Sequence, residues 1–222
     1  MRILAVETSG PTGSLALGEF QDGNLLRVVS RDWQKKAIHS EVVTVVLGDL
    51  LKAAGISVRD IQKIAVNVGP GSFTGVRVGL NLARTLAYSL AIPITPLSTL
   101  GLLASRKAAA VGSTFVAIRA IQNFFYCAGF DHRINGLVER QDPVSLSEDQ
   151  LATASQGFDR VLIEDQSPEF DIRLSAEDGL QFLQPQIEDW TFVSWKEVRP
   201  IYVRGSEAEE KLLKGLLKRE VR

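Results

Sequence analysis

The chain has 222 residues, enough for one sizeable domain or two small lobes, with 45% hydrophobic and 23% charged residues and a formal net charge of -1. That balance excludes a strongly basic polyanion-binding protein and leaves only a local basic patch at Lys211, Lys214, Lys218 and Arg219. The single cysteine, Cys127, excludes an intramolecular disulfide and a multi-cysteine zinc site, and it fits a reducing cytosol.

No stretch approaches the ~20 apolar residues that a membrane span needs. The apolar opening run, residues 1–6, meets Glu7 at once, so no signal peptide and a cytoplasmic location are expected. Ile3 to Val6 predicts a buried strand, followed by a tight turn marked by Gly10, Pro11 and Gly13. Ser14 to Gly18 predicts a second strand with Leu15 and Leu17 on one face. Asp22 and Gly23 are a hairpin signal, and Leu25 to Ser30 predicts the third strand.

Ser40 can cap a helix whose apolar face carries Val42, Val43, Val46, Leu47, Leu50, Leu51 and Ala54, and Gly55 ends it. Ile61 to Val68 predicts a strand, and Val76 to Leu90 a helix. Ala91 to Thr95 predicts a short strand. The order βββαβαβ predicts an α/β, ribonuclease-H-like lobe of the actin-like ATPase type over residues 1–97. A smaller, divergent second lobe is expected over 98–222. It would hold a helix from Leu100 to Ala110 and strands at Thr114 to Ile118, Phe124 to Phe130 and Arg160 to Ile163, with a turn at Asn135 and Gly136. Residues 165–195 read as irregular, with Trp190 and Trp195 plugging a small core. A capping pattern at Ser206 to Glu209 opens a last helix, 206–220, expected to pack back on the first lobe.

The chemistry-bearing candidate is the run Gly69 to Gly75, GPGSFTG, between a buried strand and a helix. Glycines allow close backbone approach, and Ser72 or Thr74 can cap the helix. Free N–H groups at such a helix start can hold an anion, so Gly69, Gly71, Ser72, Thr74 and Gly75 form a candidate phosphate or nucleotide loop. A strand-to-helix turn with no ligand fits the same residues. A Walker A loop is excluded because Val76 and Arg77 follow Gly75, and a nucleophile elbow because the order is Gly71, Ser72, Phe73, Thr74, Gly75.

The run GPGSFTGVRVG (Gly69 to Gly79) resembles the signature of the bacterial TsaB (YeaZ) family. ILAVETS (Ile3 to Ser9), His39 with Ser40, AIPITPLSTLGLLA (Ala91 to Ala104) and Pro200 to Arg204 with Ala208 and Glu209 fit the same family. The resemblance covers the first ~105 residues well and the last ~20 moderately. It implies the actin-like fold without an active centre of its own. It also implies a partner, the TsaD-type transferase that places threonylcarbamoyl on adenosine 37 of ANN-decoding tRNAs, assisted by a TsaE-like ATPase. Contact through the first-lobe helices, a homodimer when the chain is alone, and only indirect dealings with tRNA are further implications. No cofactor is expected of the chain itself, with ATP or ADP left open at the interface of a complex.

Two features bear on catalysis. The transferase relative needs a His-x-x-x-His pair for its metal, whereas this chain has only His39 and His132. The first turn, Glu7 to Ser9, is a poor nucleotide clamp. The family's Asp-Ala-Arg-Arg after the first strand of the second lobe is replaced by Arg119, Ala120, Ile121 and Gln122.

The expected partner or dimer surface pairs the helix at 40–54 with that at 74–90, through Val42, Val43, Val46, Leu47, Leu50, Arg77, Leu80 and Arg84. Burial inside the chain is the alternative for the apolar ones, and solvent for the arginines. Glu7 reads as a turn carboxylate or a cleft residue, His39 as ordering a helix entry, and Cys127 as a buried, inert thiol. The reading is a subunit with no catalytic residue and no metal, against the alternative of a nucleotide-binding ATPase or small transferase.

Overall fold

The computed structural model describes residues 1–34, 39–106, 112–121, 123–133, 136–184 and 192–203. β1 (Arg2–Glu7), β2 (Thr12–Gln21) and β3 (Asn24–Gln34) form an antiparallel meander. Asp22 and Gly23 turn β2 into β3 with φ of 49° and 79°. Two positive φ angles give a two-residue turn whose twist matches that of the strands. β4 (Lys63–Asn67) and β5 (Ile94–Leu97) extend the sheet in parallel, in the order β3-β2-β1-β4-β5. Parallel neighbours need crossovers, and α1 (His39–Ala54) and α2 (Phe73–Leu90) supply them.

This is the ribonuclease-H-like topology expected of the first ninety-seven residues. Successive side chains on a strand point to opposite faces, and both faces of this sheet are covered. Leu4, Val6, Leu15, Leu17, Ile64 and Val66 share a core with Val43, Leu47, Leu50 and Leu80 of α1 and α2. Ile3, Ala5, Ala16 and Ala65 face the other way and meet residues from the second half of the chain.

That second half is built on another sheet, β6 (Gly112–Arg119), β7 (Phe124–Arg133), β8 (Gly136–Ser147) and β9 (Arg160–Ile163), ordered β8-β7-β6-β9. α3 (Thr99–Ser105) packs on β6 and β7, while α5 (Ala176–Leu183) packs on β1, β2 and β3, and the two helices touch. One core therefore joins Ile3 and Ala5 to Leu100, Leu180, Val116 and Phe130. The outer face of the second sheet, Phe115, Ala117, Phe125 and Cys127, is closed by Leu151 of α4 (Glu148–Ala154) and by Phe158.

Several expectations are corrected. Gly13 belongs to β2, not to the preceding turn, and the Trp33 ring lies where its Cβ would be, 2.1 Å away. β5 begins at Ile94, because Ala91, with φ of 54°, still terminates α2. Residues 165–195 are not uniformly irregular, since α5 lies within them. β8 and α4 have no counterpart in the sequence reading. Trp195 packs with the core under the first sheet and not in the second half. Trp190, part of the Leu100 to Ala110 helix, Asn135, the helix at 206–220 and the basic patch at Lys211 to Arg219 lie outside the described residues. Among the described residues no helix is long and apolar enough to cross a membrane.

Candidate functional site

Glu7 ends β1, Asn67 ends β4 and Thr99 opens α3, so three segments distant in sequence converge on one point. All three side chains and Ser9 are buried. Glu7 Oε1 accepts from Ser9 N–H and Ser9 Oγ, each at 2.6 Å, and its Oε2 accepts from Asn67 Nδ2. Asn67 Oδ1 accepts from Gly69 N–H at 2.8 Å and from Thr99 Oγ1 at 3.0 Å. Every donor and acceptor of these groups thus finds a partner in the chain, as buried polar groups require. Burial raises the Glu7 carboxyl above its ordinary value, against the lowering pull of the Ser9 and Asn67 hydrogen bonds. Glu7 is therefore a hydrogen-bonded carboxylate, but a buried one and not a solvated one.

The glycine loop packs directly on this network. Ser72 N–H donates to Ser9 O at 2.8 Å, and the Thr8 hydroxyl donates to Gly75 O at 2.8 Å. A Cβ on Gly71 would lie 2.6 Å from Ser9 O, and one on Gly75 would lie 2.0 Å from Thr8 O. The absent side chains thus make room for the turn after β1. Gly69 has φ of 98°, a backbone conformation for which glycine is the natural residue. Ser72, of the two serine/threonine candidates, caps α2, accepting from Gly75 N–H at 3.2 Å. Thr74 is exposed in the first turn. The sequence signal of three glycines was correct about close approach. The partner of that approach, Thr8 and Ser9, is visible only in three dimensions.

The expected interface residues divide by burial. Val43, Leu47, Leu50 and Leu80 face the chain's own core. Val42 and Val46 are half-buried, whereas Val45 of α1 and Tyr88 of α2, absent from the expectation, are 63% and 68% exposed. Burial inside the chain, the alternative reading, thus holds for four of the apolar residues. Arg77 is exposed and stacks over Phe73 at 3.8 Å. Arg84 is turned to its own chain, donating to Trp195 O at 3.1 Å and Val198 O at 2.8 Å.

The remaining candidates are apart. His39 opens α1 and His132 lies near the end of β7, where its ring is bonded to Thr114 Oγ1 at 2.9 Å. Burial, reinforced by the Arg160 charge, lowers the His132 pKa. Among the described residues no group of three His, Cys, Asp or Glu side chains could hold a metal ion. Cys127 is fully buried and burial pushes its thiol up to about 12, which makes it a poor nucleophile. In the loop that departs from the family pattern, Arg119 pairs with Asp165 and its N–H donates to Glu164.

This buried junction and two-sheet fold define an actin-like α/β protein whose glycine loop is packed against its own first turn. Residues 34–193 match the family model described as TsaD: tRNA N6-adenosine threonylcarbamoyltransferase. Among curated proteins, "tRNA threonylcarbamoyladenosine biosynthesis protein TsaB" of Bacillus subtilis is 35% identical over 143 residues, 64% of this chain and 60% of that protein. The protein of the same name from Escherichia coli is 34% identical over 142 residues, 62% and 58% of the two chains. The matched part thus spans about 60% of the length of these curated relatives. A Pseudomonas aeruginosa structure described as an uncharacterized protein with similarity to peptidase YEAZ superposes with a TM-score of 0.75 at 23% identity. That match covers 91% of this chain and 99% of that one. A structure described as YeaZ from the same organism gives 0.71 at 22% identity, covering 90% and 99%. At these identities the structures speak for the fold alone. The chain belongs to the TsaD family, as a TsaB (YeaZ)-type member.

Proposed function

We propose that the chain is a non-catalytic subunit that supports a TsaD-type transferase in forming N6-threonylcarbamoyladenosine at position 37 of ANN-decoding tRNAs in the cytoplasm. The observation that carries this reading is the filled glycine loop. Gly71 and Gly75 lie against the backbone of Ser9 and Thr8, and the Ser72 N–H is already bonded to Ser9 O. With Glu7, Asn67 and Thr99 bonded to one another or to Ser9, the junction retains no free group for chemistry.

What the chain has to offer is then surface. Val45 and Tyr88 stand exposed on the two crossover helices, with Val42 and Val46 half-buried beside them on α1. Large exposed apolar side chains suit a protein partner. In this reading the partner is the TsaD-type transferase, a second copy takes its place when the chain is alone, and a TsaE-like ATPase and tRNA are met through the complex.

The test is reconstitution of tRNA modification with and without this chain, beside steady-state ATP hydrolysis by the chain alone. Modification that depends on the chain, with no ATP turnover by it, is expected. Turnover above background by the isolated chain, with modification unaffected by its omission, overturns the reading in favour of an ATPase or small transferase.

A further inference from the structure

Residues 192–203 run along α2 in the opposite direction to it. At one end Trp195 stacks edge-on against Tyr88, with centroids 5.3 Å apart, and its carbonyl accepts from Arg84 Nε. At the other end the Tyr202 hydroxyl accepts from Arg77 Nε at 3.0 Å, and its ring lies 5.6 Å from that of Phe73. Between them Val198 O accepts from Arg84 Nη2 at 2.8 Å, and the Val198 side chain is buried in the core below. A two-bond bridge between Val193 and Ile94 ties the segment to β5, and Lys63 Nζ of β4 lies 3.7 Å over the Phe192 ring.

Its last contact reaches the glycine loop. Ile201 N–H donates to Val68 O at 2.8 Å, and Ile201 O stands 3.4 Å from where a Cβ on Gly69 would be. Gly69 in turn accepts from Thr99 N–H and donates to Asn67. A chain of hydrogen bonds therefore leads from Arg84 through the 192–203 segment to the loop and the buried junction.

We propose that residues 192–203 form a releasable strap that holds the glycine loop in place, with Arg84 as the positioning residue that latches it. A guanidinium giving two charge-assisted bonds to carbonyls three residues apart fixes both the place and the direction of an extended segment. Of the residues from Phe192 to Val203 only Val198 is fully buried, so the strap belongs to the part of the fold that opens locally at low cost. Lys196 is exposed within it and offers trypsin a cleavage point once it lifts, whereas Arg199, also exposed, is followed by Pro200 and resists cleavage. The proposal concerns coupling inside this chain and stands apart from the reading of its function.

The experiment is native-state hydrogen exchange on the full chain, comparing wild type with Arg84→Ala, Arg84→Lys and Tyr202→Phe, with limited trypsin digestion in parallel. In Arg84→Ala the amides of Val193, Ile201 and Ser72 are expected to exchange at least about tenfold faster, with Ala5 and Ala16 in the sheet unchanged. Trypsin should then cut after Lys196. Arg84→Lys keeps the charge but not the fork and should fall between. Tyr202→Phe should accelerate Ile201 and Ser72 alone, and it serves with Arg84→Lys should the alanine variant not fold. Faster exchange at Ile201 with Ser72 unmoved overturns the coupling. Equal acceleration at every amide, or none at any, overturns the latch.

Discussion

Thr8 Oγ1 occupies the space in which a side chain on Gly79 would begin, with a Cβ built there standing only 2.3 Å away. The same threonine donates its hydroxyl hydrogen to Gly75 O, and its own carbonyl lies 2.0 Å from a Cβ on Gly75. Two helical glycines and one turn residue thus form a single packing unit. Gly75→Ala meets a backbone atom that cannot rotate away, and it should cost more than ~3 kcal/mol, beyond the ~1 kcal/mol that alanine gains over glycine in a helix. Gly79→Ala meets mainly a side-chain oxygen and should cost ~1–3 kcal/mol. Thr8→Ala should recover much of the Gly79→Ala loss and none of the Gly75→Ala loss, a difference that a double-mutant cycle by chemical denaturation reads directly.

Glu7 is a buried carboxyl whose pKa is raised, so its stability contribution is fully present below the unfolded pKa and is lost as pH rises through the folded one. Glu7→Gln removes that titration. It also turns an N–H₂ group toward the Asn67 or Ser9 donors, at a cost of ~1–3 kcal/mol. The expected result is a wild-type advantage over Glu7→Gln that is largest near pH 4 and shrinks as pH rises above the ordinary glutamate range, ~4.3. Urea titrations at a series of pH values measure it.

Arg106 and Asp178 form a bidentate pair in which the side chains are 29% and 17% exposed, and Arg106 also donates to the carbonyls of Asp171 and Arg173. Burial alone would raise Asp178, but hydrogen bonds from Arg106 and Ser175 outweigh it and hold the carboxyl low. Its stabilisation is therefore present above the ordinary aspartate range and is lost as pH falls through the folded value. Arg106→Ala should cost about 2–3 kcal/mol at pH 7, short of the ~3–5 of a fully buried pair, and the loss should fade on acidification. Arg173→Ala, in a pair 73% and 51% exposed, should cost far less than Arg106→Ala.

Cys127 should resist an aromatic disulfide reagent at pH 8 in the native state. One thiol per chain should react at once in denaturant, because a buried thiol held near 12 carries almost no thiolate. Titration of released chromophore gives the count.

The first half of the fold was legible because its signals are local. Asp22 and Gly23 announce a turn by their own φ preferences, Gly55 ends a helix by the same means, and the 2 and 3.6 residue periods are written in Leu15, Leu17 and Val43, Leu47, Leu50. β8 escaped because its residues, from Gly136 to Ser147, are mostly half-buried and follow no clean alternation. α5 is short and its capping serine, Ser175, sits among charged residues that read as loop. The glycine loop was recognised as a place of close approach, but the atoms that approach it lie some sixty residues earlier in the chain.

The sequence alone determined the order of the first elements, the family likeness and the lack of paired histidines. Each of these depends on residue type and short-range spacing. Tertiary structure alone decided that the glycine loop is filled by Thr8 and Ser9, that Arg84 faces Trp195 and Val198, and that α5 returns to cover the first sheet. Those facts rest on contacts between residues 62 to 174 positions apart, such as Ser9 with Gly71 and Ala5 with Gly179, which no local propensity encodes.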